Sequence, residues 1–176
     1  MTDTATLDTY GELVEPTTLK IQRMLPGPIE RVWAYLTESD LRRQWLAAGD
    51  MVLKPDAPFR LVWRNEELSD PPGKRPEGFG EEHSLDCQII EASPPHRLFF
   101  AWGERMDVAI DLEERGKRVL LTLTHRRLPD RSTLLNVSAG WHAHLDILVA
   151  KVEGRKPGPF WNAWQVLKAD YDQRLP

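Results

Sequence analysis

The chain has 176 residues and a single cysteine, Cys87. One cysteine cannot close an internal disulfide, and this fits a reducing compartment. Cys87 lies in a strand-like run with no helix start and no second thiol beside it. It therefore reads as a buried structural thiol in preference to a nucleophile. Long apolar runs are also missing, and nothing approaches the ~18 residues of a membrane span. Met1 to Glu12 is polar, carries Asp3 and Asp8, and lacks the basic start and apolar centre of a secretory signal. A soluble cytoplasmic protein without membrane insertion is the expectation. Positive charge is not in excess either. There are 27 acidic and 23 basic residues, a formal net charge of −4, and the densest basic groups are the pairs Arg42-Arg43 and Arg126-Arg127. This excludes a generally basic nucleic-acid binder. Nucleophile signatures are absent: Ser84 and Ser138 sit in no Gly-x-Ser-x-Gly elbow, and no glycine-rich loop is shaped to cradle phosphate.

What is present points to a folded domain. The composition is 41% hydrophobic and 28% charged, and the length suits one domain. Seven tryptophans stand out, because large rings fill cores and also line pockets for apolar ligands. Residues 1–17 read as a polar lead-in with a short edge strand at Leu13-Val14, and 18–176 as a single domain. Thr18 to Met24 alternates apolar and polar residues, a half-buried strand with Leu19, Ile21 and Arg23 on one face. Pro26-Gly27-Pro28 breaks it. Ile29, Val32, Trp33 and Leu36 recur at i, i+3, i+4 and i+7, which predicts an amphipathic helix ended by Thr37. Ser39 or Asp40 then caps a second short helix through Trp45 and Leu46.

A β-rich middle follows. Phe59, Leu61 and Trp63 alternate with Arg60, Val62 and Arg64. Ser69 to Pro76 is a Pro/Gly loop too polar to be core. Glu82 to Ala92 predicts a strand turned by Ser93-Pro94-Pro95. Leu98, Phe100 and Trp102 share the next strand face, and Val108, Ile110 and Leu112 the one after. Gly116-Lys117 suits a hairpin, after which Val119, Leu121, Leu123 and His125 line up. A long helix is predicted from about Ser132 to Val152, with Trp141, Leu145, Leu148 and Val152 as one apolar stripe. Gly154 and Pro157-Gly158-Pro159 stop or sharply kink it. Phe160, Trp164, Leu167 and Tyr171 form a last helical stripe. Strands segregated from helices argue α+β.

Particular motifs add a resemblance. Pro28 to Thr37 (Pro-Ile-Glu-Arg-Val-Trp-Ala-Tyr-Leu-Thr), with Leu41 to Trp45, resembles the opening helix pair of bacterial heat-shock-protein-90 ATPase activator homologues. Glu91 to Trp102 (Glu-Ala-Ser-Pro-Pro-His-Arg-Leu-Phe-Phe-Ala-Trp) resembles their central hairpin. Leu121-Thr-Leu-Thr-His125 and Gly140-Trp141 resemble their last strand and the start of their final helix. The resemblance covers residues 18 to 175 and four motifs in order. It implies membership of the START-like, SRPBCC helix-grip superfamily. The implied fold is a curved antiparallel sheet of six to seven strands wrapped around a long C-terminal helix, with two short helices after the first strand and a cavity in between. It does not imply one function, since that superfamily includes lipid carriers, hormone receptors, polyketide cyclases and co-chaperone domains.

The expected wall of such a cavity is Trp45, Leu61, Trp63, Phe100, Trp102, Val108, Ile110, Leu121, Leu123, His125, Trp141, His144, Leu145 and Leu148. The aromatic members either hold an apolar ligand or simply fill a core. His142 and His144 invite a metal reading, but helical neighbours two apart point away from each other, and no ligand spacing here matches a metal site. His142 and Asp146, at i and i+4, are placed to pair at the surface. His125 and His144 are either polar contacts or general bases within a cavity, or satisfied half-buried side chains. Glu81 and His83 share a strand face that points either into a cavity or into solvent. The leading expectation is a non-enzymatic binder of a small apolar or amphipathic molecule, with no cofactor. The alternatives are a cyclase- or hydratase-type enzyme using His125, His144 or Glu81, and a co-chaperone-like module that contacts a chaperone.

Overall fold

The computed structural model describes residues 7–176, and the first part of the polar lead-in, Asp3 included, lies outside the described residues. The alternating segments form one antiparallel sheet. In chain order the strands are β1 (Glu12–Glu15), β2 (Thr18–Pro26), β3 (Pro58–Trp63), β4 (His83–Ser93), β5 (Arg97–Trp102), β6 (Met106–Arg115) and β7 (Arg118–Arg126). In space the order is β1-β2-β7-β6-β5-β4-β3. Period-two patterning sets the register, because a slip of one residue would turn every apolar side chain to water. Leu19 pairs with His125, Ile21 with Leu123 and Leu25 with Val119. Val108 and Ile110 meet the same His125 and Leu123 from the other side. All of these are buried on the concave face.

Two short helices, α1 (Ile29–Thr37) and α2 (Ser39–Arg42), cross over between β2 and β3. The second is shorter than the sequence predicts, and neither Ser39 nor Asp40 caps it. Glu38 takes the cap position without a side-chain bond, and Ser39 Oγ instead accepts the Gly49 N–H at 2.9 Å. Arg42, which reads as half of a surface basic pair, is buried. Its guanidinium donates to the carbonyls of Leu36 (3.2 Å), Ala47 (3.1 Å) and Gly49, tying the chain after α2 into a knot. Burial pulls its pKa down to about 10. Gly49 completes the knot at φ +137°, and a Cβ there would lie 1.9 Å from the Arg60 carbonyl oxygen. Gly49→Ala is therefore expected to cost about 2–3 kcal/mol through strain and backbone overlap, read as a lower urea midpoint with an unchanged slope.

The long helix α3 (Arg131–Val152) begins where Asp130 accepts the Thr133 N–H at 2.7 Å. The sequence predicts one apolar stripe, but the buried positions run around most of the helix and include Ser138, His142 and His144. The reason is α4 (Phe160–Arg174), which turns back after Gly154 (φ +73°) and covers the side of α3 that faces away from the sheet. The β3–β4 connection, residues 64–82, straps the start of α4 in place. Ser69 is buried, contrary to the polar-loop expectation, because its Oγ accepts the Phe160 N–H at 2.9 Å. The Pro72 carbonyl accepts the Trp161 N–H at 3.0 Å. The lead-in is also anchored. The Gly11 N–H donates to the Tyr171 hydroxyl at 2.7 Å, and the Tyr10 hydroxyl to Asp170 at 2.9 Å. Among the described residues no helix is long and apolar enough to cross a membrane.

Candidate functional site

A cavity of about 460 Å³ opens where the β3–β5 end of the sheet meets α3, α4 and the strap. The strand ends contribute Trp63, His83, Leu85 and Trp102; α3 contributes Asn136, Val137, Gly140, Trp141 and His144. Phe160, Trp161 and Trp164 come from the first turns of α4, and Phe79 with Glu81 and Glu82 from the strap. The rings form two sets, one on the strands and α3 and one on the strap and α4. Trp102 stands 5.5 Å from Trp63 and 5.3 Å from Trp141, centroid to centroid, and Phe79 stands 5.5 Å and 5.2 Å from Trp161 and Trp164. Phe79 is 42% exposed although it packs on two tryptophans, and it sits between Gly78 and Gly80 at the cavity mouth.

Polar groups on this wall are few and specific. Among the described residues four buried side-chain polar atoms lack a hydrogen-bond partner: Asn65 Oδ1, Asn136 Oδ1, Ser138 Oγ and Trp161 Nε1. Asn65, Asn136 and Trp161 all line the cavity. His144 lines it too, with Nδ1–H donating to the Trp45 carbonyl at 2.8 Å, which leaves Nε2 as a lone-pair acceptor. Burial lowers the His144 pKa to about 4, so the ring is neutral.

A larger open trough, about 1470 Å³, runs along α3, α4 and the lead-in. Several of its charged side chains are paired with one another: Arg23 with Asp146 at 2.9 Å and Arg155 with Glu153 at 2.6 Å, and Tyr10 bonds Asp170. None of the side chains that the sequence assigns to a ligand wall lies there. The smaller aromatic cavity is the better candidate, because three of its wall residues carry buried polar atoms without partners.

The family model described as Activator of Hsp90 ATPase homolog 1-like protein matches residues 26–153. The chain belongs to that family. The activator-homologue family is matched in structure as well as in sequence. A Bordetella parapertussis protein solved by solution NMR is 35% identical, covering 99% of this chain and 96% of its own, with a TM-score of 0.79. CalU16 from Micromonospora echinospora is 20% identical over 89% of this chain and 86% of its own, with a TM-score of 0.65. A conserved protein of unknown function from Enterococcus faecalis is 18% identical over 93% of this chain and 88% of its own, with a TM-score of 0.67. The last two show the fold alone. No curated protein matches the chain.

Within this activator-homologue fold, Trp63, Trp102, Trp141 and His144 from the predicted wall do meet around the cavity. Trp45, Leu61, Phe100, Val108, Ile110, Leu121, Leu123, His125, Leu145 and Leu148 do not line it. They are packed into the core between the sheet and the helices α1 and α3, and this cavity opens toward the β3 edge. His125 is fully buried there, with Nδ1 accepting from Trp141 Nε1–H at 3.0 Å and Nε2 against the Met106 sulfur at 3.3 Å. Glu81 precedes β4, so it does not share a strand face with His83; both are exposed and both border the mouth.

His142 is buried too, so its contact with Asp146 at 3.4 Å is no surface pair on the histidine side. The Tyr171 hydroxyl accepts from Gly11 and gives its own proton to His142 Nδ1, 2.8 Å away. His142 faces Tyr10 and Tyr171 while His144 faces Trp45 and Phe160, so the two rings lie on different sides of α3. Sequence reasoning missed Asn65, Phe79, Asn136, Phe160 and Trp161. A signal was present for Trp161, a large ring next to the predicted α4 stripe rather than on it.

Proposed function

We propose that this protein binds one small, largely apolar molecule in the aromatic cavity between β3–β5, α3 and α4. A single observation carries the reading. Three residues of a wall rich in aromatic rings, Asn65, Asn136 and Trp161, each carry a polar atom buried just behind the cavity surface and without a partner. An unmet buried donor or acceptor costs about 1–3 kcal/mol, so a wall that served only as packing would carry that cost for nothing. A ligand that turns these side chains toward itself and supplies the matching groups removes it. The volume, about 460 Å³, falls within the range of small-molecule sites. Predominantly apolar walls with a few placed polar groups are the general pattern of such sites.

The test is calorimetric titration, with thermal shift in parallel, across a panel of apolar and amphipathic compounds. Binding of at least one class is expected, with tryptophan emission changing as the wall is occupied. Trp161→Phe keeps an aromatic ring and deletes the unpartnered N–H. It is expected to weaken that binding about tenfold, the value of roughly one hydrogen bond, with the melting temperature little changed. No heat and no stabilisation from any compound would sink the reading.

A further inference from the structure

We infer that the cavity is selective for charge, taking an apolar-bodied amine in its ammonium form and rejecting carboxylates and phosphates of the same size. This rests on the cavity-binding reading above and adds the chemical class of the ligand. Among the described residues the wall contains no lysine and no arginine. Its carboxylates are Glu81 and Glu82 at the mouth. Glu82 is paired with Arg64 at 2.8 Å, whereas Glu81 makes no ion pair among the described residues. A buried anion would therefore meet no cation, one unpaired carboxylate and the negative faces of several indoles, and an unpaired buried charge is costly. An ammonium meets the reverse. Ring faces attract cations, most strongly those of tryptophan.

The hydrogen-bonding groups on the wall are of both kinds, so charge and ring contact, rather than hydrogen bonding, set the preference. Asn65 Oδ1 and Asn136 Oδ1 are acceptors without donors. His144 adds a third acceptor, because its Nδ1–H is spent on the Trp45 carbonyl and the buried ring stays neutral, its pKa held near 4. Trp161 Nε1–H is the one unpartnered buried donor on the wall among the described residues. Each asparagine also carries Nδ2–H donors, so an amine with an ether or hydroxyl oxygen on an aromatic or alicyclic body meets both kinds of group.

Three probes with one naphthyl body separate the outcomes: 1-naphthylmethylamine, 1-naphthalenemethanol and 1-naphthoate, each titrated calorimetrically into the full chain at pH 7.5. The amine is expected to bind at least tenfold tighter than the alcohol, and the carboxylate at least tenfold weaker than the alcohol. Glu81→Gln, at an exposed position, is expected to reduce the amine's advantage over the alcohol about threefold. A carboxylate that binds as well as the amine overturns the inference and leaves the cavity reading standing. An alcohol that matches the amine within twofold does the same. Failure of all three probes, together with failure of the wider panel, removes the cavity reading and this inference with it.

Discussion

Acidification from pH 7 to pH 4.5 is expected to remove most of the folding stability of this protein, by way of three histidines. His125, His142 and His144 are buried, and the pKa of each is lowered to about 4, desolvation being the largest cause. For His142 the Arg23 guanidinium lowers it further, while Asp146 works against the shift. An unfolded histidine titrates near 6.5. Between pH 6.5 and 4 the unfolded chain thus holds up to three protons that the folded chain refuses, and stability must rise with pH across that window. Each site is worth on the order of 2 kcal/mol between pH 7 and 4.5, and the three together rival the 5–15 kcal/mol of a typical domain.

At His125 and His142 the hydrogen bonds oppose charging as well, whereas at His144 the bond to the Trp45 carbonyl works the other way. A proton on His125 Nδ1 would face the N–H of Trp141, donor against donor. A proton on His142 Nδ1 would displace the one from Tyr171. Urea midpoints followed by circular dichroism at half-unit pH steps give the measurement. The expected slope in the middle of the window approaches 4 kcal/mol per pH unit, about 1.4 for each proton. A stability that changes by less than 1 kcal/mol between pH 6.5 and 4.5 would mean that these rings are solvated or already charged. Carboxylates titrate mainly below this window, and His125→Phe should lower the slope by one proton whatever it does to the absolute stability.

The same residues show which parts of the molecule were legible in the chain. Phe59, Leu61 and Trp63, or Val119 through His125, announce strands because alternation answers to one buried face, and the structure buries that face. Ile29, Val32, Trp33 and Leu36 announce α1 for the corresponding reason at helical period. The burial of α3 on nearly all sides was not legible. It depends on α4 folding back across it, which no local pattern in 131–152 encodes. Ser39 illustrates the same limit on a smaller scale: a hydroxyl placed to cap a helix is instead used by the backbone of Gly49, ten residues on.

The cavity was half legible. Strand alternation identifies side chains that face inward, but not which of them α3 covers completely. The centre of the sheet, at Val108, Ile110, Leu121 and Leu123, is sealed by close packing. The open space lies off-centre, where its other walls are the strap and the first turn of α4. Asn65, Phe79 and Trp161 reach it only because Ser69 and Pro72 clamp the strap against Phe160 and Trp161. Those are long-range hydrogen bonds to residues that look, in sequence, like an ordinary polar loop.

Trp141 is where stability and the candidate site are most tightly joined, and Trp141→Ala is expected to cost about 3–5 kcal/mol. The indole is 3% exposed, packs on Trp102 at 5.3 Å, borders the cavity and donates to His125 Nδ1. Truncation opens a void beside space that already exists, so the surroundings cannot close on it, and it leaves a fully buried imidazole nitrogen without its donor. Trp141→Phe separates the two losses. It retains most of the ring burial and removes the N–H, for an expected cost of about 1–2 kcal/mol. It also removes the donor that opposes protonation of His125. The acid limb of the stability curve should then become shallower, because a folded His125 pKa closer to the unfolded value shortens the window over which its contribution is lost. Urea unfolding at pH 7.5 and at pH 5 reads both effects. If Trp141→Ala costs under 1 kcal/mol at pH 7.5, the indole does not carry the junction between α3 and β5. If Trp141→Phe leaves the pH dependence unchanged, the hydrogen bond does not set the protonation state of His125.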